Sequence, residues 1–542
     1  MEFSSPLHLY LTIVAAMALV ALMVWLLVFL TRPSAARDRF RLAVPLYLKA
    51  WSKKKKHVFI AVSPYSKQLA SSLLKEKKKS HILFVNLAPS FQKETEHRLR
   101  QELGSSIPVL GGHAPLLEDA RTFAGALGLK GLAPWLSQKH TNLYLFSKNP
   151  EENAQLLSLS TDDPSIKAKI FYYSSDPNGY DSLVASTGAR IRMLNPHEMS
   201  FTQLKLEQPR LMPVHFVQKA PGPHSGYVRQ GLHALVAGFG NIGQEAVRFL
   251  YEYGSFVGED FLRAPMSIDI YDATLPVKLG AFWESAPMLK ADTALHWHLE
   301  AAGSVTFWEN FEKDPELRYL IVAVDEGRRN IQLGVSLLKA AARSGKDLSR
   351  MLILVYDRQN TKKSRNILDS YNAAYCPEGA AVLHSFGDNR SIWNPDVISG
   401  RALKKTAVKL LEGRKSLERG ESWDERQERL SRPGPDAFKN QMELRRRQSA
   451  DISRALFAPS LLALAPEGEP DEKTIEYLSA QEHLHWMSAL AVMGYTDGPL
   501  DELLKRHPDM VPYPEIKEDE TRQRSLLSVK SLLQMNKKYN AG

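Results

Sequence analysis

Three glycines in the middle of the chain have the spacing of a phosphate-binding turn. Gly238, Gly240 and Gly243 follow a short apolar run, residues 232–237, and precede residues 245–253, whose apolar side chains fall on one helical face. The first glycine would permit a tight turn, the second a close approach of a phosphate, and the third close packing of helix on strand. Free N–H groups at the start of a helix attract anions. The pattern therefore predicts a strand, a phosphate-binding turn and a helix.

An acidic residue at the end of the next predicted strand supports a nucleotide site. Residues 266–272 read MSIDIYD and end at Asp272. In dinucleotide-binding folds a carboxylate at this place binds a ribose hydroxyl, usually about 20 residues after the turn. The interval here is longer, and residues 254–265 would contain the extra length. The alternative is the same fold with an empty pocket. The predicted binding residues are Gly238, Gly240, Asn241, Ile242, Gly243 and Asp272.

The elements that would position these residues occur twice. Residues 57–216 and 231–390 each alternate apolar strands with helical stretches, which predicts two doubly wound α/β domains. Residues 142–156 of the first half correspond to residues 319–333 of the second, so a whole domain is repeated. In the second half we expect residues 304–308 (SVTFW) to form the third strand. The first half has SPYSK at its first turn, residues 63–67, in place of a glycine triplet, which predicts a degenerate site.

The second half resembles a known family. GFGNIG followed by IVAVDEGRRNIQLG is similar to the TrkA-N (RCK-type) Rossmann domain, which binds nucleotides and regulates potassium channels and transporters. The resemblance implies that residues 323–326 line the adenosine side of a pocket for NAD(H) or a related adenine nucleotide. It adds Ala323, Val324, Asp325 and Asn330 to the predicted site. Unlike the channel members of that family, this chain has one apolar span and no selectivity-filter sequence.

The N-terminal region predicts a membrane anchor. Residues 9–30 are uncharged and long enough to span a bilayer as a helix, within a first segment of residues 1–31. A cleaved signal peptide is the competing interpretation, but residues 1–6 contain no lysine or arginine. Basic residues follow in a linker, residues 32–56, and favour an N-terminus outside the cell and the bulk in the cytoplasm. The prediction is a single-pass protein of the inner (plasma) membrane, in contact with the lipid bilayer.

Composition excludes some classes of site. The 542 residues carry a net charge of +10, but much of the basic excess follows the apolar span, so a membrane surface explains it more simply than nucleic acid does. Cys376 is the only cysteine, which excludes an internal disulfide framework and a thiolate-cluster metal site.

The C-terminal third is predicted to be mainly helical. A charged connector, residues 391–464, precedes residues 471–542, where EHLHW and HPDMVPY resemble the ryanodine-receptor (RyR) repeat domain as found in bacterial proteins. Two interpretations of its aromatic and histidine residues stay open: packing of the module's own core, or a pocket in which an aromatic face stacks a purine. The histidine spacing of a zinc protease is absent. The candidate ligand-binding residues are Glu482, His483, Trp486, His507 and Tyr513.

The predicted fold class is α/β: two tandem Rossmann-like doubly wound domains, preceded by one transmembrane helix and followed by a small mainly helical module. The favoured function is a membrane-anchored nucleotide-sensing regulator that forms a homo-oligomer and acts on its own membrane helices, on a transporter or with a signalling enzyme. Two alternatives are a membrane-tethered NAD(P)-dependent oxidoreductase or NAD hydrolase, and a scaffold. No catalytic domain accompanies the nucleotide motif, which favours the regulator over the enzyme.

Overall fold

The computed structural model describes most of the chain after residue 48. The described residues are 49–50, 52–76, 80–87, 92–103, 107–111, 122–127, 129, 132–147, 149–174, 191–221, 226–325, 327–377, 380–417, 421–432, 434–466 and 468–540. The predicted span, residues 9–30, lies outside them. Within these ranges no helix is both long and apolar enough to cross a membrane. The described chain divides into two compact units, the second of which begins at residue 172 and also takes in residues 71–73.

The first sheet has six strands in the order β3-β2-β1-β4-β5-β6. Its strands are β1 (Lys56–Ile60), β2 (His81–Asn86), β3 (Val109–Gly111), β4 (Thr141–Leu145), β5 (Lys169–Tyr173) and β6 (Ile191–Leu194). Its helices are α1 (Pro64–Lys75), α2 (Gln92–Leu103), α3 (Phe123–Ala126), α4 (Ala133–Leu136) and α5 (Pro150–Asp162). The helix α6 (Pro196–Glu207) follows β6 and belongs to the second unit. β1 is parallel to both of its neighbours and is buried throughout, as expected of a strand covered on both faces.

The second sheet repeats this strand order. A ribbon of β7 (Gln218–Lys219) and β8 (Val228–Gln230) occupies part of the segment between the predicted halves. The strands that follow are β9 (His233–Ala237), β10 (Ser267–Tyr271), β11 (Leu295–His298), β12 (Tyr319–Val322), β13 (Leu352–Tyr356) and β14 (Leu383–Phe386). They are ordered β11-β10-β9-β12-β13-β14, and every pairing is parallel. The helices between them are α7 (Asn241–Gly254), α8 (Leu275–Ser285), α9 (Val305–Lys313), α10 (Arg328–Arg343) and α11 (Lys362–Tyr375). Two Rossmann-like sheets, as predicted, are thus confirmed.

β9 is the strand at which the chain changes direction in the sheet. Ala237 at its end is paired with Tyr271 of β10 on one side and with Val322 of β12 on the other. The three strands therefore end level with one another. In open α/β sheets ligands bind at this carboxyl edge, where the strand order reverses. The residues that immediately follow the three strands belong to the predicted site.

The prediction of a third strand at residues 304–308 was wrong. That segment begins α9, and the third strand is β11, which pairs with β10. The Ser304 hydroxyl accepts a hydrogen bond from the N–H of Phe307 and so caps the helix. Phe307 and Phe311, four residues apart, are both buried on one face of α9. The aromatic residues of SVTFW thus follow helical rather than strand periodicity.

Residues of β1 and β4 and of the segments that follow them differ by 177 in number from their counterparts at β9 and β12, as 330 minus 153 shows. Asn153 in the first and Asn330 in the second are both fully buried. The Asn153 amide accepts from the N–H of Ser147 and donates to its carbonyl, at 2.8 Å each. The Asn330 Oδ1 accepts from Val324 N at 2.8 Å, and Val324 corresponds to Ser147. The same side chain thus holds the same strand end in both halves, which supports the predicted internal repeat.

Beyond the second sheet the described chain is mainly helical. The elements are α12 (Asn389–Ile392), α13 (Pro395–Ser399), α14 (Arg401–Leu417), α15 (Trp423–Leu430), α16 (Ala437–Leu464), α17 (Glu472–Val492), β15 (Thr496–Asp497), β16 (Arg506–His507) and α18 (Asp519–Asn540). α14 and α16 of the predicted connector pack against each other, α14 also against α18, and α16 against α17. Both parts therefore contribute to one bundle, and α17 also packs against α7 of the second sheet.

Substitution of Asn330 tests how much its buried side-chain amide contributes to the stability of the fold. Asn330→Ala removes the partners of several buried backbone groups, so we expect the free energy of unfolding to fall by about 3 kcal/mol. Urea unfolding followed by circular dichroism would measure the change. Asn366→Ala, at an exposed site on α11, is the matched control and should change stability by less than about 0.5 kcal/mol. Equal effects of the two substitutions would contradict the structural role of Asn330.

Candidate functional site

The glycine turn, residues 238–243, is tightly packed at its two ends. Gly238 has a φ of 98°, a conformation that favours glycine, and an added Cβ would lie 2.7 Å from the carbonyl carbon of Ala323. A Cβ at Gly243 would lie 2.8 Å from the carbonyl carbon of Gly238 and closer still to its oxygen. Gly238 therefore lets the turn contact the end of β12, and Gly243 lets α7 contact the turn.

Gly240, in contrast, faces open space. It precedes α7, has a φ of −70° that other residues adopt readily, and a Cβ there would meet no atom within 4 Å. No side chain caps α7, whose first residues are Asn241 and Ile242. The N–H groups of its first turn therefore have no side-chain acceptor. They lie at the end of the helix where the dipole places a partial positive charge. This is the arrangement that a phosphate group requires.

Asp272 lies beside the turn and is held by four hydrogen bonds. Its Oδ2 accepts from the N–H of Phe239 at 2.7 Å and from the Lys278 ammonium at 2.9 Å. Its Oδ1 accepts from the N–H and the hydroxyl of Thr274, at 2.7 and 2.6 Å. Burial opposes ionisation, but these donors, led by Lys278, outweigh it and lower the pKa of Asp272 to about 2. The carboxylate is therefore ionised at neutral pH.

The segment after β12 is ordered by the Asn330 side chain. Its Oδ1 accepts from Val324 N and Asp325 N at 2.8 and 3.1 Å, and its Nδ2 donates to the carbonyls of Asp325 and Tyr356 at 2.6 and 2.9 Å. Asp325 in turn accepts from Gly327 N at 2.7 Å. Gly327 is the N-cap of α10, and no side chain caps this helix either. Two uncapped helix termini thus follow the two strands on either side of the reversal point.

The structure brings the predicted residues of the second sheet to one edge. Gly238, Asp272 and Ala323 follow three neighbouring strands directly. Glu326, also part of the motif, lies outside the described residues. Sequence reasoning missed Lys278, the partner of Asp272. Its position in the helix that follows Asp272 is the feature from which this contact could have been predicted. Asp357, which directly follows β13, lies at the same edge; its carboxylate is 2% exposed, and a Cβ on Gly327 would be 3.5 Å from its Oδ1.

The corresponding turn of the first sheet is closed by its own hydroxyl groups. Ala61 takes the place of Gly238 and has a similar φ of 72°. Ser63 and Ser66 replace Gly240 and Gly243 and are both buried. The N–H of Ser63 donates to Ser66 Oγ at 2.8 Å, and the N–H of Ser66 donates to Ser63 Oγ at 3.1 Å. Side chains therefore occupy the donors that an anion would need, which gives a physical reason for the predicted degeneracy.

The C-terminal candidate residues separate into two environments. The His483 ring lies 5.5 Å from Trp486 and 6.0 Å from Tyr513, and Trp486 lies 5.1 Å from His507. All four are at most 9% exposed, and the His483 Nε2 is 2.9 Å from the carbonyl oxygen of Val511. Glu482 instead forms an ion pair with Arg454 of α16. The four aromatic residues thus form a packed cluster, and Glu482 belongs to a different site. Among the described residues no group of side chains could hold a metal ion.

One face of α17 is hydrogen-bonded to the last turn of α7 and to Val257, three residues after that helix ends. Tyr477, Gln481 and His485 are spaced four residues apart and so share a helical face. The Tyr477 hydroxyl donates to Val257 O at 2.8 Å, Gln481 Oε1 accepts from Val257 N at 2.9 Å, and His485 Nδ1 is 3.1 Å from Glu252 O. Burial lowers the pKa of His485 to about 3, so the imidazole is neutral at physiological pH. The helix that begins at the glycine turn therefore ends in a rigid contact with the C-terminal bundle.

Comparisons with known proteins find only weak similarity to solved structures. No protein-family model matches the chain, and no curated protein sequence matches it. Among solved structures, a crystal structure of a GsuK point mutant is similar with a TM-score of 0.36 and 14% sequence identity, over 74% of this chain and 85% of that chain. The structure of the GsuK channel bound to NAD has a TM-score of 0.37 and 13% identity, over 66% of each chain. These values assign neither a ligand nor an activity to this chain.

Gly243 and Gly280 allow a test of the close packing in the turn. Gly243→Ala would force backbone atoms apart, so we expect the free energy of unfolding to fall by about 1–3 kcal/mol. Gly280→Ala, on α8 where a Cβ meets nothing within 4 Å, should instead stabilise the protein by about 0.5–1 kcal/mol. Thermal unfolding of both variants would measure the two changes. A stabilised Gly243→Ala variant would contradict the packing described here.

Proposed function

We propose that the chain is a nucleotide-sensing regulator that binds NAD(H) or a related adenine nucleotide at the carboxyl edge of the second sheet. The supporting observation is the open Gly240 at an uncapped helix terminus, directly beside the ionised Asp272 and the segment held by Asn330. Gly238 and Gly243 are fixed by packing, whereas Gly240 alone leaves space for a ligand. A buried turn without ligand function would have no need of that space.

Each part of the nucleotide has a chemically suitable partner in this arrangement. The pyrophosphate would lie on the N–H groups of Gly240, Asn241 and Ile242, where the helix dipole favours negative charge. The adenosine would lie along Ala323, Val324 and Asp325. The ribose hydroxyls would donate to Asp272, and NAD(H) when bound supplies hydride chemistry that this proposal does not require.

Binding of the ribose requires a rearrangement at Asp272. An ionised carboxylate has about four acceptor positions, and Phe239, Thr274 and Lys278 already use four. A ribose hydroxyl must therefore displace one donor, and the Lys278 side chain, itself 30% exposed, is the most easily moved. The released ammonium would then be available to a phosphate group.

α7 would carry the effect of binding to the rest of the protein. Its N-terminus would be the phosphate site. His485 of α17 contacts the last turn of the helix, and Tyr477 and Gln481 hold Val257 just beyond it. A helix moves as a rigid body, so a small displacement at one end also displaces the contact at the other. The output would pass through the C-terminal bundle to a homo-oligomer, and from there to the membrane helices or to a transporter.

Gly240→Asp provides a test in which binding and stability change in opposite directions. Aspartate is a favourable N-cap residue, so the variant should be as stable as the native protein or up to about 1 kcal/mol more stable. Its carboxylate would occupy the phosphate position, and we expect the affinity for NAD to fall at least about tenfold. Titration calorimetry of the full chain with NAD would give the affinity, and thermal unfolding the stability.

Gly434→Asp introduces the same side chain at an exposed glycine of the connector and should leave the affinity unchanged. An unchanged affinity in Gly240→Asp would remove the basis for the proposed site.

Hydrogen exchange at residues 477–485 should slow when NAD binds, and unaltered exchange would contradict the coupling through α7. Reduction or cleavage of NAD during the titration would favour the enzyme alternative.

The proposed membrane anchor has a separate test. Val20→Arg combined with Met23→Arg places two charges near the middle of residues 9–30, at a cost of about 2.5–3.5 kcal/mol each. We expect the native chain to remain with membranes after alkaline carbonate extraction and the double variant to be released. Val277→Arg, at a residue 86% exposed, is the control and should stay with the membranes. A native chain found in the soluble fraction would disprove the anchor.

A further inference from the structure

A partly open cavity with about 470 Å³ of empty space lies in the C-terminal bundle, among α14, α16, α17 and α18. Much of its wall is aliphatic and consists of Leu410 and Leu411 from α14, Leu461 from α16 and Leu532 from α18. Its polar lining residues are Arg414, Asp451, Arg454, Glu482 and Ser528. The cavity therefore offers an apolar surface and a small group of polar side chains to a molecule that enters it.

The charged side chains that line the cavity are balanced. Two are cations, Arg414 and Arg454, and two are anions, Asp451 and Glu482. Arg454 contacts Asp451 at 3.3 Å and also pairs with Glu482. A ligand with a net charge would upset this balance in a place that is partly removed from water, which is energetically unfavourable. The charges of the cavity therefore favour a neutral ligand.

The two carboxylates of the cavity differ in how their oxygens are satisfied. Asp451 Oδ2 accepts a hydrogen bond from Arg426 at 2.7 Å, and its Oδ1 accepts one from Arg454 at 3.3 Å. Glu482 is 2% exposed, and its Oε1 accepts from Arg454. Its Oε2 is buried too, but within the described part of the chain no group donates a hydrogen bond to it. A buried acceptor without a donor is energetically unfavourable.

The neighbouring hydroxyl groups do not supply the missing donor. Ser528, which lines the cavity, donates to the carbonyl of Arg524 at 2.8 Å. Burial raises the pKa of Glu482, but the charge of Arg454 and the nearby Ser525 hydroxyl lower it by more, so the carboxylate is ionised at neutral pH. Ser525 nevertheless forms no hydrogen bond with Oε2. A molecule that brings its own hydrogen-bond donor into the cavity would satisfy this oxygen.

We propose that this cavity binds a neutral amphipathic molecule, an alkyl chain that carries a hydroxyl group. The hydroxyl would donate to Glu482 Oε2, and hydrogen bonds to an ionised acceptor are among the stronger ones in proteins. The alkyl chain would lie against Leu410, Leu461 and Leu532 and leave water. A ligand of this kind adds the missing donor and leaves the charges of the cavity balanced. The site is separate from the glycine turn and does not depend on the proposed nucleotide.

Octan-1-ol and 1-methoxyheptane provide the test, because they have the same number of non-hydrogen atoms and only the alcohol can donate a hydrogen bond. Titration calorimetry of the full chain in lipid nanodiscs would give both affinities, after subtraction of the heat of partition into empty nanodiscs. We expect one saturable site per chain, at which the ether binds at least about tenfold more weakly than the alcohol. Octanoate is charged and has no donor, so it should be weaker than the alcohol by a similar factor. Equal affinities of the alcohol and the ether, tighter binding of octanoate, or the absence of a saturable component would overturn the proposal.

Glu482→Gln replaces the ionised acceptor with an amide, which can itself donate to an ether oxygen. Arg454 keeps its contact with Asp451 in this variant, and we expect the preference for the alcohol over the ether to disappear. Glu520→Gln is the matched control, since Glu520 is 77% exposed and pairs with Arg524 outside the cavity; its preference should equal the native value. A native preference in Glu482→Gln, or a loss of preference in Glu520→Gln, would overturn the assignment of Oε2.

Ala458→Leu tests the site in a second way and does not depend on the folding of Glu482→Gln. The larger side chain fills the apolar part of the cavity and leaves Glu482 in place. We expect the alcohol and the ether to bind at least about tenfold more weakly than to the native chain, because the space for the alkyl chain is lost. Thermal unfolding would verify that the variant is folded, and native affinity for octan-1-ol in a folded variant would overturn the site.

Discussion

The carboxyl edge of the second sheet depends on the amide of one buried asparagine. Asn330 joins the backbone after β12 to the end of β13 and fixes the position of Val324 and Asp325. Gly238 packs on this backbone without space for a Cβ, and Gly243 packs on Gly238 in turn. The turn, the start of α7 and the hydrogen bond from Phe239 to Asp272 therefore all rest on a surface that the Asn330 side chain holds in place. A phosphate site of main-chain N–H groups is only as well defined as that surface.

Much of this edge could be predicted from the sequence because its residues are close together in the chain and of unusual type. Glycines at fixed spacing, an acidic strand end and an asparagine in a repeated segment each leave a local signal. The third strand was misplaced because valine, phenylalanine and tryptophan favour strands. In the structure Ser304 instead caps a helix that these residues begin. The charged cavity could not be predicted at all. Arg414, Asp451 and Glu482 come from three helices, and only the packing of the bundle brings them together.

Each face of α17 contacts a different part of the protein. Tyr477, Gln481 and His485 bind backbone groups in the last turn of α7 and just after it, whereas Glu482 faces the cavity. His483 and Trp486 belong to the aromatic cluster. The faces are also linked, because Phe457 lines the cavity and its ring stacks on His485 at 3.9 Å. A helix with so few exposed residues cannot shift against one neighbour without disturbing the others.

The two serines of the first turn have a consequence for how the repeated halves can respond to their surroundings. Ser63 and Ser66 satisfy the backbone donors of that turn from within the chain, at any concentration of any solute. The second turn has glycines at both positions and leaves its donors to whatever the solution provides. The backbone donors of one turn are therefore always satisfied, whereas those of the other turn depend on the solution. Two hydroxyl groups account for this difference between the repeated halves. Asymmetry of this kind needs no difference in fold, and it confines any chemical signal to a single copy.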